Sequence, residues 1–231
     1  MKQAIVLTML ILSACTLENI ESQVQIIEPY TTSRQVSVAP ENIRAEFLIS
    51  DNGIGNAKLG MTLGELKQIS DRDTRFELMS PFTIDSNAIA VSKGGIVQYY
   101  ILYKTDNLST SEKFAPTDKE PITSLMTDNY NYQTLEGVKV GTSIQEAEEI
   151  YGDAILAYNQ EGESKEYITF ENRSESNVNF RASYYKLISD GLGFSGIYPE
   201  YPGVSYTTDK YQADAAIAAI EVSCIQDSCP N

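Results

Sequence analysis

Histidine and tryptophan are both absent from these 231 residues. Without histidine the chain lacks the usual general base and the commonest zinc ligand. Cations are scarce as well: 17 Lys and Arg stand against 32 Asp and Glu, a formal net charge of −15. Nucleic acid is therefore not an expected partner, because phosphate binding relies on clustered cations. Acidity spread over a surface otherwise serves solubility. No apolar run approaches the roughly 20 residues that a helix needs to span a bilayer. Cysteine occurs three times, at Cys15, Cys224 and Cys229. No metal or cofactor is expected from this composition.

What is present begins with an export signal. Lys2 precedes an apolar run from Ala4 to Leu12, of about nine residues, which ends in the small residues Ser13 and Ala14 before Cys15. Leu12-Ser13-Ala14-Cys15 resembles the bacterial lipobox. The resemblance implies that the Cys15 thiol takes a diacylglycerol, that residues 1–14 are cut away, and that the new amine is acylated. Several acyl chains, each buried methylene contributing about 0.8 kcal/mol, would then hold the protein at a membrane. Loss of Lys2 makes the mature chain −16. Thr16, where Asp would signal retention, looks like sorting to the outer membrane in a Gram-negative cell. The expected location is the cell envelope.

In that oxidising compartment, Cys224 and Cys229 read as a disulfide that pins the C-terminus, contributing about 2 kcal/mol at most by loop closure. The alternative is a pair of free thiols on a frayed tail.

Residues 15–46 lack sustained periodicity and read as the lipidated cysteine and a tether, reaching roughly 30 Å if flexible. Gln23 to Ile27 could add an edge strand. The remainder carries an internal repeat. Lys58 to Ile69 aligns without gaps with Lys139 to Ile150, at an offset of 81. In each copy a hydroxyl and a carboxylate three residues apart form a capping box, Thr62 with Glu65 and Ser143 with Glu146. Each box opens a short helix with an apolar stripe, Leu63, Leu66 and Ile69 or Ile144, Ala147 and Ile150. Gly60 and Gly141 supply a permissive backbone before the cap, and Gly152 stops the second helix.

Behind the helices the pattern alternates. Asn87 to Tyr103 reads as a hairpin turning at Lys93-Gly94-Gly95. Strands are expected at Ala154 to Tyr158, Tyr167 to Phe170, Val178 to Tyr185 and Ile217 to Val222, although the alanines from Ala213 to Ala219 favour helix by propensity. The division is thus a first repeat at 47–106, a connection at 107–131 in which Ile122 to Met126 could form a strand, a second repeat at 132–224, and a tail at 225–231.

The phrase from Gly53 to Glu65, and its second form from Thr134 to Ile144 leading to Tyr151-Gly152, resemble a known pattern. It is the helix start shared by small envelope lipoproteins of the SmpA/OmlA (BamE) type and by tandem-repeat proteins similar to β-lactamase-inhibitory protein. The resemblance implies an α+β fold of two tandem units, each a short capped helix packed on an antiparallel sheet, in a protein that acts by binding other proteins. The chain departs from the inhibitor type in lacking a disulfide within each repeat. It departs from the BamE type in being doubled and in its long connection.

Catalytic phrases occur by letter and fail by context. Ser183-Tyr184-Tyr185-Lys186 and Ser50-Asp51-Asn52 match motifs of penicillin-recognising enzymes, but in the reverse order and with Ser183 in a strand-like run. Gly191 to Gly196 fits G-x-G-x-x-G, yet Pro199 and Pro202 forbid the phosphate-binding helix that should follow, so a flexible loop is expected. Asp71-Arg72-Asp73 and Glu161-Gly162-Glu163 lack the ligand spacing of a calcium loop.

Tyr198, Tyr201, Tyr206 and Tyr211 fall in a Pro- and Gly-punctuated stretch. They suit a partner-binding surface, since tyrosine buries a large area and keeps a polar tip. The competing reading is a loop whose tyrosines fold back onto the sheet. A non-enzymatic, protein-binding envelope lipoprotein is the expected function. Inhibition of an envelope or secreted hydrolase is the alternative, and a histidine-independent hydrolase is a lesser one.

Overall fold

The computed structural model describes residues 44–83, 86–104, 114–159, 165–173, 176–182, 187–188, 191–199, 205–224 and 229. Cys15, Tyr201, the 1–14 signal and the Gln23 to Ile27 segment lie outside them.

Each capping box starts a short helix. Thr62 Oγ1 accepts from the Glu65 N–H at 3.2 Å while the Glu65 carboxylate accepts from the Thr62 N–H at 2.8 Å, opening α1, Leu63–Ile69. Ser143 and Glu146 repeat the exchange at 3.2 and 3.0 Å, opening α2, Ile144–Tyr151. Helices of two turns are marginal alone, so their buried faces hold them. Those faces differ from the expected stripes: Ile69 is 55 % and Ile150 44 % exposed. A step of three residues falls about 60° short of a full turn, so the third member of each stripe has drifted off the buried face. The position seven residues after the first returns to it, and in α2 that residue is Tyr151, buried together with Ile144 and Ala147.

The helices are minor elements, and this overturns the expected α+β class. The described chain is mostly β, and its two halves join in one sheet instead of forming two helix-capped units. The strands, in chain order, begin with β1 Leu48–Ser50, β2 Gly53–Ile54, β3 Ala57–Lys58, β4 Thr74–Thr83, β5 Ser86–Lys93, β6 Ile96–Lys104, β7 Ser124–Thr127 and β8 Gln133–Thr134. They continue with β9 Ala154–Asn159, β10 Lys165–Phe170, β11 Val178–Ala182, β12 Leu187–Ile188, β13 Gly191–Leu192, β14 Ser205–Thr208 and β15 Ile217–Ser223. Nine of them form one antiparallel sheet in the order β14-β9-β10-β11-β15-β7-β6-β5-β4. A small sheet, β3-β2-β1-β8, and the β12-β13 pair complete the set. β7 is an interior strand of the large sheet, next to the central β15, within the segment expected to be mainly a connection.

Local bonding recurs in the two halves of this sheet. Gly60 N–H donates to the Ile122 carbonyl, Ile122 N–H to that of Met61, and Leu63 N–H to that of Glu120, at 2.8, 2.8 and 3.0 Å. Gly141, Ile217 and Ile144 make the matching bonds to Ile217, Thr142 and Ala215 at 2.8, 2.9 and 3.0 Å. Gly60 and Gly141 take φ of 82° and 90°, the left-handed region glycine tolerates. Further on, the rung Ile89–Ile101–Leu125 across β5, β6 and β7 matches Ile168–Phe180–Ile220 across β10, β11 and β15.

Because side chains alternate across a strand, these rungs point to one face. There they pack with Leu63, Leu66, Ile144, Ala147 and Tyr151 of the helices in the main core. A smaller cluster of Ala88, Leu102, Met126 and Ala219, with Phe82 and Tyr100 packed on it, forms on the other face.

Candidate functional site

Three of the four tyrosines singled out above are described, and two of them spend their hydroxyls on the protein itself. Tyr198 donates to the Glu166 carboxylate at 2.8 Å, and Tyr211 to that of Glu148 at 2.6 Å. Tyr198 meets the buried Tyr158 ring edge-on at 4.6 Å, and Tyr206 of β14 lies parallel to it at 6.2 Å. Burial and the Glu166 carboxylate push the Tyr198 hydroxyl well above its ordinary pKa. The glycine-rich run beside them is held as well: the N–H groups of Ser195 and Gly196 donate to Glu166 at 2.8 and 2.7 Å. Tyr198 thus anchors this segment to β10 of the sheet, and Tyr211 anchors it to α2. Cys224 and Cys229 are joined by a disulfide.

The recessed site lies elsewhere, at the end of the large sheet where β5 turns into β6 through Gly94 and Gly95. It is a cavity of about 330 Å³ walled by Phe47, Tyr99, Tyr132 and Val91, with Ser70 on its helix side. Tyr132 meets Phe47 and Tyr99 edge to face, at 5.4 and 6.3 Å between ring centres. Two exposed ion pairs line its mouth, Arg44 with Glu46 at 3.0 Å and Lys93 with Asp71. Arg44 also lies over the Phe47 ring at 4.8 Å. Burial, helped by the Glu46 charge, pushes the Tyr132 hydroxyl up to about 12. At neutral pH both tyrosines are neutral hydrogen-bonding groups and the mouth carries balanced charge.

The second half fills the matching place. At the same offset of 81, Ser70 corresponds to Tyr151, and two residues past the Ile89 and Ile168 rungs, Val91 corresponds to Phe170. Tyr151 is buried against Phe170 and Phe180, with ring centres 5.6 and 5.8 Å away. Its hydroxyl donates to Glu136 at 2.7 Å and lies 2.6 Å from the Thr134 hydroxyl, while Arg173 sits over its ring at 4.8 Å. Arg173 bonds Glu136 at 3.3 Å and Ser176 at 3.0 Å, and Asp51 accepts from the Asn177 N–H at 3.2 Å. A polar lattice closes around Tyr151 where the first half leaves a pocket.

Two large exposed side chains lie close in the chain to residues that line the pocket. Thr127 Oγ1 donates to the Gln98 carbonyl and Asn129 Nδ2 to that of Val97, at 2.7 and 2.9 Å. Those bonds tie the 127–132 segment to the start of β6. Their neighbours Ile96 and Tyr130 are 62 % and 69 % exposed.

No local pattern in the sequence marks this site. The aligned repeat ended at Ile69 and Ile150, one residue short of the Ser70–Tyr151 pair that distinguishes the halves. Carrying the alignment one column further would have shown a small residue in one copy against an aromatic in the other.

No family model matches the chain, and no curated protein matches it. Among solved structures it is similar to the uncharacterized protein yfeY from Escherichia coli, at 14 % sequence identity and a TM-score of 0.44, over 76 % of this chain and 99 % of that one. A likeness of that size carries no functional content.

Proposed function

We propose that this is a lipid-anchored protein of the cell envelope that acts by binding another protein and performs no chemistry on it. The observation that carries the reading is the aromatic pocket with exposed Ile96 and Tyr130 at its side. An aromatic recess with exposed large side chains near it in the chain and a rim of exposed ion pairs has the anatomy of a protein-binding patch. The lipobox-like Leu12-Ser13-Ala14-Cys15 supports the anchor, and the resemblance noted in the repeat supports a binding role. Inhibition of a hydrolase would use the same surface, but no observation favours it over binding in general.

The test is crosslinking in intact cells with a C-terminally tagged chain, recovery of the complex, and rebinding of the identified partner in purified form. A stoichiometric partner whose recovery falls at least tenfold with Tyr132→Ala, and is unchanged by Tyr206→Ala, is expected. Cys15→Ser should release the protein from membranes. Partner recovery indifferent to Tyr132, or turnover of a substrate by the purified chain, would overturn the reading.

A further inference from the structure

Taking the protein-binding reading as its basis, we infer that the pocket receives a tyrosine-like aromatic side chain of the partner, docked where the second half of the chain places its own Tyr151. The matching positions define the shape of what is missing. Ser70 at the end of α1 and Val91 on β5 correspond to Tyr151 at the end of α2 and Phe170 on β10, in halves whose rungs and helix-anchoring bonds match. The space beside the two smaller side chains is therefore space that aromatic rings, with Tyr151 at their centre, fill at the matching place in the second half.

The chemistry around the space agrees. Tyr151 is held by a guanidinium over its ring and a carboxylate at its hydroxyl, from Arg173 and Glu136. Arg44 and Glu46 bring the same two groups to the mouth of the pocket, paired at the exposed surface, where water competes for both and the pair opens readily. Tyr99 is only 6 % exposed, lines the cavity, and its hydroxyl makes no hydrogen bond among the described residues. A phenol entering from outside gives it a partner. Ring faces left by the edge-to-face set of Phe47, Tyr99 and Tyr132 favour an aromatic guest over an aliphatic one. Ile96 and Tyr130, exposed and each two residues in the chain from the pocket-lining Gln98 and Tyr132, suit a side chain carried on a protein surface better than a free aromatic molecule, which would leave them unused.

The experiment uses the full chain, purified in detergent, and ligand-observed NMR with N-acetyl-tyrosine amide as probe and N-acetyl-leucine amide as control. Saturation transfer to the tyrosine ring protons is expected, with amide shifts in the unaltered protein confined to Val91, Tyr99, Tyr132 and their neighbours. Combined Ser70→Tyr and Val91→Phe installs the second half's own filling and should weaken binding at least tenfold. The shift map on the unaltered protein decides the matter even if that variant fails to fold. Equal transfer to leucine amide, shifts elsewhere, absence of saturable binding, or undiminished binding to a folded filled variant would overturn the inference. The two readings fail separately. Probe binding without a cellular partner sinks the protein-binding function and leaves the pocket chemistry standing, whereas a partner insensitive to the filled variant does the reverse.

Discussion

The two halves of the sheet share a frame and differ in how one position is used. Both start a helix with the same reciprocal cap, tie that helix start by the same three backbone bonds to the chain entering the last strand of its half, β7 or β15, and lay down matching rungs. One then places Tyr151 into the angle between helix and sheet, and the other places Ser70 there and leaves a cavity. The backbone arrangement does not require the hole, because the second half shows it can be filled. A frame that could be packed and is instead left open, with balanced charges at the opening, is how a binding site differs from a packing defect.

The comparison breaks most severely where the filled half is emptied. Tyr151→Ala should remove an aromatic side chain from the core and leave Arg173, Glu136 and Thr134 without their shared partner. Truncation of a buried aromatic costs about 3–5 kcal/mol, which denaturant unfolding would read directly. Leu66→Ala in the open half, at a fully buried position, should cost about 2–5 kcal/mol. A loss below about 1 kcal/mol for Tyr151→Ala, against the usual aromatic range, would show that the filled half does not depend on its filling.

The shared frame is sharpened by paired substitutions that should be equal. Gly60→Ala and Gly141→Ala each force a side chain into positive φ, at about 1–2 kcal/mol. Thr62→Ala and Ser143→Ala each remove a cap, at about 1 kcal/mol. Differential scanning calorimetry on the four variants should give two matched pairs. The cap effect should also depend on pH. Hydrogen bonds from the Thr62 backbone and side chain hold the Glu65 carboxyl below its ordinary 4.5, and those from the Ser143 side chain and backbone do the same for Glu146. Both folded values lie below the unfolded one, so each contribution is complete at neutral pH and fades as pH falls from 4.5 through the lowered value. The stability gap between the unaltered chain and either cap variant should therefore shrink on acidification. A gap constant from pH 7 to 3 would deny the carboxylates that role.

Much of this frame could be read from the residues and much could not, for physical reasons. Capping boxes are local chemistry, and hairpins such as β5–β6 announce themselves by alternation and a Gly-Gly turn. The edge strand β4 was missed because Pro81 interrupts it. A residue without an N–H argues against a central strand, yet an edge tolerates it with a register shift between Met79 and Thr83. β1, β2 and β3 are two or three residues long, too short to show any period. The chain is mostly β where an α+β class is expected, because helix signals are vivid even when helices are brief: 7 and 8 residues here, against a sheet of nine strands. The pocket depends on Phe47, Ser70, Val91, Tyr99 and Tyr132 meeting across elements far apart in the chain, which no local pattern encodes.

The smallest expected effect tests the same helices from the outside. Ile69 and Ile150 occupy the same position of the repeat and are both exposed, so neither contributes a core contact comparable to Leu66 or Ala147. Ile69→Ser and Ile150→Ser should each change stability by no more than about 0.5 kcal/mol, as is usual for surface sites. If stability is indeed unmoved, partner recovery from crosslinked cells becomes informative at these two positions. Loss with Ile69→Ser alone would extend the binding surface along α1, on the side of the open half. Equal loss with Ile150→Ser would mean that the partner reads the frame common to both halves instead of the cavity that separates them.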